Sequence, residues 1–168
     1  MIKKILINFI IIACFIALRY SKYIKFIEVN NVLPDIFLIL IVFNGIFNGP
    51  LFAMIFGFAS GLALDISTYP LIGFYALIYS VLGYSTSLTK LFYIENPLSS
   101  SILILIFIIL KSIIFLITGL MFMESDFVAN YFTRMFLIET VYTLLIAIPI
   151  FLIYKKIYSS SRKSKLNV

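Results

Sequence analysis

The chain has 168 residues, 63% of them hydrophobic and 12% charged, and a mean hydropathy of +1.16, which excludes an ordinary soluble domain and predicts one integral membrane domain over residues 1–168. The formal net charge of +6 lies mostly at the two ends, so it indicates membrane orientation and lipid contact rather than nucleic-acid binding. Histidine is absent and Cys14 is the one cysteine, which excludes most zinc sites, Ser/His or Cys/His catalysis and an internal disulfide.

Six apolar segments follow one another along the chain, which predicts an all-α polytopic membrane protein with six transmembrane helices in one bundle. An alternative for the first segment is a lipoprotein signal peptide ending near Cys14, but further apolar residues follow it and favour an uncleaved helix. The predicted helices span about 5–20, 34–48, 50–66, 71–89, 98–123 and 131–154, followed by a basic tail, 155–168.

The second and third segments form a tight hairpin, because Gly49 can end one helix and Pro50 suits the first turn of the next. Each arm of roughly 15 residues rises about 22 Å, less than a hydrocarbon core of about 30 Å, so a re-entrant hairpin is the alternative to a spanning one. The second arm carries Ala53, Gly57 and Gly61 at steps of four, a face that lets a neighbouring helix approach closely.

Two carboxylates lie on the same side of this hairpin, Asp35 at its start and Asp65 at its end. Asp35 occupies a first turn, where it stabilises the helix start or contacts a partner. Asp65 sits at a helix end, where the macrodipole disfavours it. It forms an Asx turn with the amides of Ser67 and Thr68, or it is an outward-facing contact for a partner or ligand.

Both ends of the chain are basic, and six helices bring both ends to one side, so the positive-inside rule predicts that both termini are cytoplasmic. Asp35 and Asp65 then face outward. The basic tail is expected to bind anionic lipid, with contact to a cytoplasmic protein system as the alternative.

Lys111 lies near the centre of the fifth predicted helix and Glu139 lies in the sixth. A lysine near the bilayer centre costs about 2.5–3.5 kcal/mol on insertion scales, so it should face the bundle interior and find a partner. The two residues differ in predicted depth by roughly 5 Å, which a lysine side chain covers. We expect an intramembrane ion pair between them, with snorkelling of Lys111 into a polar cavity as the alternative.

The hairpin and the turn after it resemble the signature region of the rod shape-determining protein MreD family, and the length, six segments and basic ends are also similar. The residues that carry the resemblance are Pro34-Asp35, Gly49, Gly57-Phe58, Gly61-Leu62, Asp65, Pro70-Leu71 and Gly73. The resemblance implies a non-enzymatic component of the cell-elongation machinery in the bacterial inner membrane, without a cofactor. It implies as partners a bitopic MreC-type protein, the actin-like MreB filament system, and the glycosyltransferase and transpeptidase of lateral peptidoglycan synthesis. It also implies a fold similar to the substrate-binding membrane subunits of energy-coupling-factor transporters.

Three functions are therefore compared. The first is the scaffold that the resemblance implies, with Asp35, Gly57, Gly61, Asp65 and Gly73 as partner-contact or structural residues. The second is the substrate-binding subunit of a vitamin-type transporter, which requires a polar cavity that opens outward between the helices. The sequence offers few polar groups for such a cavity beyond Asp35, Asp65 and hydroxyls such as those of Tyr69, Ser80 and Tyr84. The third is an intramembrane aspartyl peptidase, in which Asp35 and Asp65 share a proton. No recognisable catalytic motif surrounds either aspartate, so the order of preference is scaffold, transporter, enzyme.

Overall fold

The computed structural model describes residues 28–30, 32–68, 72–91, 97–122 and 131–163, together with Ala17, Lys25 and Ala129. The first predicted helix, apart from Ala17, and the lipoprotein alternative at Cys14 therefore lie outside the described residues. Within them the protein is helical, with no strand beyond an isolated bridge between Val29 and Val32. The predicted all-α class is confirmed.

The described residues form five α-helices. A 3₁₀ helix, Thr86–Leu91, follows the third, and a π-helical turn, Tyr131–Met135, precedes the last. The α-helices are α1 (Ile36–Asn48), α2 (Pro50–Thr68), α3 (Phe74–Ser85), α4 (Pro97–Phe122) and α5 (Phe136–Lys163).

Two of the described helices are long and apolar enough to cross a membrane. They contain the stretches Leu98–Met121 in α4 and Phe136–Lys156 in α5, with mean hydropathies of 2.8 and 2.3. At 1.5 Å per residue, α1 rises about 20 Å and α2 about 28 Å. Since the hydrocarbon core is about 30 Å thick, α1 is the short arm of the hairpin and α2 approaches a full span.

Two predicted helix ranges differ from the structure. The predicted helix 71–89 is an α-helix only from Phe74 to Ser85, because Gly73 precedes it at φ +103° and hydroxyl side chains at its end bond backbone carbonyls. The last helix does not end near residue 154 but continues to Lys163, into the predicted tail. Residues 155–163 contain no glycine or proline to break it.

Helix α1 is the central helix of the described bundle. Every residue from Phe37 to Gly45 is buried, and α1 contacts each of the other four α-helices. The most extensive helix–helix contact is between α2 and α3. A Cβ atom at Gly57 or Gly61 would overlap with the backbone of α3, so these glycines allow the two backbones to touch.

The outer surfaces of α4 and α5 are apolar. Large aliphatic side chains are exposed along both helices, among them Ile102, Ile106, Ile113, Leu120, Leu137, Val141, Leu145 and Leu152. Surfaces of this kind suit contact with lipid tails rather than water.

Candidate functional site

Three charged side chains meet inside the bundle and form what we call the charge cluster: Asp35, Lys111 and Glu139. The ammonium nitrogen of Lys111 lies 2.6 Å from Oδ2 of Asp35 and 2.5 Å from Oε1 of Glu139. The side chains of Lys111 and Asp35 are each 4% exposed and that of Glu139 is 15% exposed. The structure thus brings together the two residues expected to pair, and it adds a second carboxylate on the same ammonium group.

Each carboxylate of the charge cluster also accepts a hydrogen bond from a tyrosine. The Tyr79 hydroxyl donates to Oδ1 of Asp35 at 2.7 Å, and the Tyr131 hydroxyl donates to Oε2 of Glu139 at 2.8 Å. Each hydroxyl donates to the carboxylate oxygen that Lys111 does not contact, so Asp35 receives three donors, counting the amide of Leu38, and Glu139 receives two.

Asp35 reaches the charge cluster because it is the N-cap residue of α1. Its Oδ1 accepts from the backbone N–H of Leu38 at 2.9 Å, and its own N–H donates to Oγ1 of Thr143 in α5 at 2.9 Å. Aspartate is among the preferred N-cap residues because its side chain satisfies an amide that the first helical turn leaves without a partner. Asp35 therefore caps the start of α1, hydrogen-bonds to α5 through Thr143 and accepts from Lys111 in α4.

Asp65 is placed differently from either expectation. Helix α2 continues past it to Thr68, where an Asx turn was expected, and its side chain is fully buried and therefore not available to a partner or ligand. Its carboxylate accepts from the backbone N–H groups of Gly73, Tyr75 and Ala76 at 2.9–3.0 Å. Asp65 thus caps the start of α3 from the neighbouring helix, where the dipole of α3 favours a negative charge.

The aspartyl peptidase interpretation requires Asp35 and Asp65 to share a proton. The structure gives each of them separate donors: Lys111, Tyr79 and a backbone amide for Asp35, and three backbone amides for Asp65. With both carboxylates engaged in this way, the geometry does not support a shared proton.

The three glycines among the candidate residues lie at contacts within the chain. Gly57 and Gly61 face the backbone of α3. Gly73 is the N-cap residue of α3 and has a φ of +103°, a backbone conformation that residues other than glycine rarely adopt. Its N–H is one of the three donors to Asp65. All three glycines therefore lie where α2 packs against α3 or its start.

A partly enclosed cavity of about 270 Å³ lies beside the charge cluster. Its lining comes from the start of α1 and the segment before it, from α2, α3 and α4, and from the π-helical turn and the start of α5. The polar and aromatic residues lining it are Glu28, Asp35, Phe37, Tyr75, Tyr79, Lys111, Tyr131 and Glu139.

The hydroxyls expected at such a cavity are not the ones that line it. Ser80 donates to the carbonyl of Leu77 in its own helix, Tyr84 is exposed on α3, and Tyr69 lies outside the described residues. Sequence reasoning missed Tyr79 and Tyr131. The available signal for Tyr79 was its spacing, one helical turn after Tyr75 and one before Gly83, on the face that packs against α2.

The fold and the charge cluster define a helical membrane protein whose interior is held by paired charges. The family model described as rod shape-determining protein MreD matches residues 3–157. The chain belongs to the MreD family, a membrane protein family with a role in rod shape determination, and the resemblance in the sequence is confirmed. No curated protein and no solved structure matches the chain, so the fold likeness to energy-coupling-factor transporter subunits stays a prediction.

Proposed function

We propose that this protein is a non-enzymatic scaffold of the cell-elongation machinery, which helps to organise lateral peptidoglycan synthesis in the bacterial inner membrane. Membership of the MreD family is the observation that carries the proposal. Its partners are then an MreC-type bitopic protein and the MreB filament system, and through them the wall-building glycosyltransferase and transpeptidase.

The buried polar residues support a structural role. Asp35 and Glu139 hold α4 against α1 and α5 through Lys111, while Asp65 fastens α3 to α2. These side chains position helices relative to one another, which is what a rigid docking platform for other membrane proteins requires.

The proposed topology is multi-pass, with six spans and both termini in the cytoplasm. The apolar lengths of α4 and α5 and the basic ends of the chain support it. The cytoplasmic end of α5 then presents Lys155 and Lys156 at the membrane surface, where anionic lipid headgroups attract basic residues.

Depletion in the host tests the scaffold. The chromosomal copy is placed under an inducible promoter, and cell width and the incorporation of a fluorescent cell-wall precursor along the side wall are followed after shut-off. We expect cells to widen or round up and side-wall incorporation to lose its pattern, with full recovery when the wild-type chain is supplied in trans. Normal elongation and wall insertion in cells that immunoblotting shows to be free of the protein would refute the scaffold function.

A transporter subunit is the second candidate, because the cavity beside the charge cluster, about 270 Å³, is close in size to the smallest ligand pockets of about 300 Å³. Its test is mass spectrometry on protein purified from native membranes. A stoichiometric vitamin-type compound in that preparation would put the transporter function first.

A further inference from the structure

We propose that the cavity beside the charge cluster binds a small organic ammonium compound that also carries a hydroxyl or carbonyl oxygen. This binding site does not rest on the scaffold function, and a scaffold with such a site would respond to the concentration of its ligand.

The segment before α1 forms one wall of the cavity. The segment before α1 forms a tight turn in which Val29 and Val32 exchange two backbone hydrogen bonds of 3.1 and 2.9 Å. Val32 is buried, and the turn places the half-buried Glu28 in the lining together with Asp35. The lining therefore has a defined backbone on this side.

The charge of the lining favours a cation. The described residues that line the cavity include three carboxylates (Glu28, Asp35 and Glu139) and one ammonium group, that of Lys111. Asp35 and Glu139 share this ammonium group, whereas no described residue forms an ion pair with Glu28. A ligand ammonium group at Glu28 supplies the missing counter-charge, and a ligand carboxylate there would be repelled.

Lys111 favours a ligand that also carries an oxygen acceptor. Its ammonium group has three hydrogens, and it donates to Oδ2 of Asp35 and Oε1 of Glu139. No described residue accepts the third, although the side chain is 4% exposed and lines the cavity. A buried donor without an acceptor is unfavourable, so a ligand oxygen that accepts from Lys111 would increase the affinity of the site. It would also make the site select ligands that carry such an oxygen.

The size and walls of the cavity define the rest of the ligand. A volume of about 270 Å³ corresponds to roughly nine water molecules at 30 Å³ each, which accommodates a compound with a single ring. Tyr75, Tyr79 and Tyr131 contribute aromatic rings to the lining, and aromatic rings attract organic cations as well as apolar groups.

Three compounds that share a phenyl ring and a two-carbon chain provide the test: phenylglycinol (ammonium and hydroxyl), phenylethanediol (a hydroxyl in place of the ammonium group) and mandelate (hydroxyl and carboxylate). Each is titrated against the purified full-length protein in detergent by ligand-observed NMR, with signals from empty micelles subtracted. Phenylglycinol should bind saturably and about tenfold more tightly than phenylethanediol, the usual gain when one neutral hydrogen bond becomes charge-assisted. Mandelate should show no saturable binding.

Variants at Glu28 locate the binding. Glu28→Gln should weaken phenylglycinol binding about tenfold and leave phenylethanediol binding unchanged, whereas Glu28→Asp keeps the charge and should stay near the wild type. Neither variant should change the melting temperature appreciably, because no described residue forms an ion pair with Glu28. Equal affinities for the three compounds, tightest binding of mandelate, no saturable binding of any of them, or unchanged phenylglycinol binding in Glu28→Gln would each overturn the proposal. None of these outcomes bears on the depletion experiment.

Discussion

Replacing Lys111 by methionine removes the one ammonium group that the described residues place between the carboxylates of Asp35 and Glu139, while keeping a side chain of similar shape. Asp35 and Glu139, which are 4% and 15% exposed, are then left facing each other without a counter-charge. Removing one partner of a buried ion pair costs about 3–5 kcal/mol, because the remaining charge stays desolvated. We expect the loss of unfolding free energy in Lys111→Met to fall in this range, and the amount of folded protein in the membrane to decrease.

Neutralising one carboxylate should cost less. In Glu139→Gln, Lys111 keeps its contact with Asp35, so the loss is one charge-assisted hydrogen bond of about 1.5–3 kcal/mol. The double change Lys111→Met/Glu139→Gln leaves a single carboxylate, Asp35, with the Tyr79 hydroxyl still donating to it. Its total loss should therefore fall short of the sum of the two single losses by about 1–3 kcal/mol, and adding Asp35→Asn should restore more of the stability.

Unfolding of the purified protein in mixed micelles with increasing dodecyl sulfate, followed by far-ultraviolet circular dichroism, measures these differences. Lys156→Met is the matched control, because Lys156 is exposed on the same bundle and should change stability by less than about 0.5 kcal/mol. Strictly additive single losses, or a Lys111→Met protein as stable as the Lys156→Met control, would refute the reasoning.

Three further results are expected. Asp65→Ala should lower the free energy of unfolding by about 1–3 kcal/mol and speed amide exchange at Tyr75, because the amides at the start of α3 lose their acceptor. Asp65→Asn keeps a side-chain oxygen, so its loss of stability should be smaller. Equal amide exchange in the two variants would contradict this. Gly61→Ala should lower the melting temperature by an amount equivalent to about 1–3 kcal/mol, because the added methyl group meets the backbone of α3, and an unchanged melting temperature would show that the two helices do not touch there. In a background without the native cysteine, Ile2→Cys and Lys165→Cys should both stay unlabelled by a membrane-impermeant thiol reagent in intact cells; labelling of either one would break the proposed topology.

Sequence reasoning worked best where the signal was local. The hairpin between α1 and α2 turns at Gly49 and Pro50 as predicted, because a residue free to adopt positive φ and a residue suited to a helix start stand side by side. The expectation that Lys111 has a partner also rested on a local signal, because a charged residue in the middle of an apolar helix is unfavourable unless it is paired.

Where a polar group found its partners by packing, the sequence was less informative. The Asp35–Lys111 contact joins residues 76 positions apart, and it depends on how far α1 lies from α4 and how each helix is rotated. Neither quantity has a signature in the sequence of either helix. The partners of Asp65 are backbone amides, which every residue type except proline provides, so no side-chain pattern could reveal them.

From the sequence alone, composition and periodicity determined the membrane environment, the approximate positions of the five described α-helices and the face of small residues on α2. These features depend on hydropathy and on contacts within a turn or two of one helix. The tertiary structure decided that two carboxylates share Lys111, that Asp65 serves the next helix and that a cavity remains beside the charge cluster. These features depend on the relative placement of several helices, which many side-chain contacts determine together and no single segment specifies.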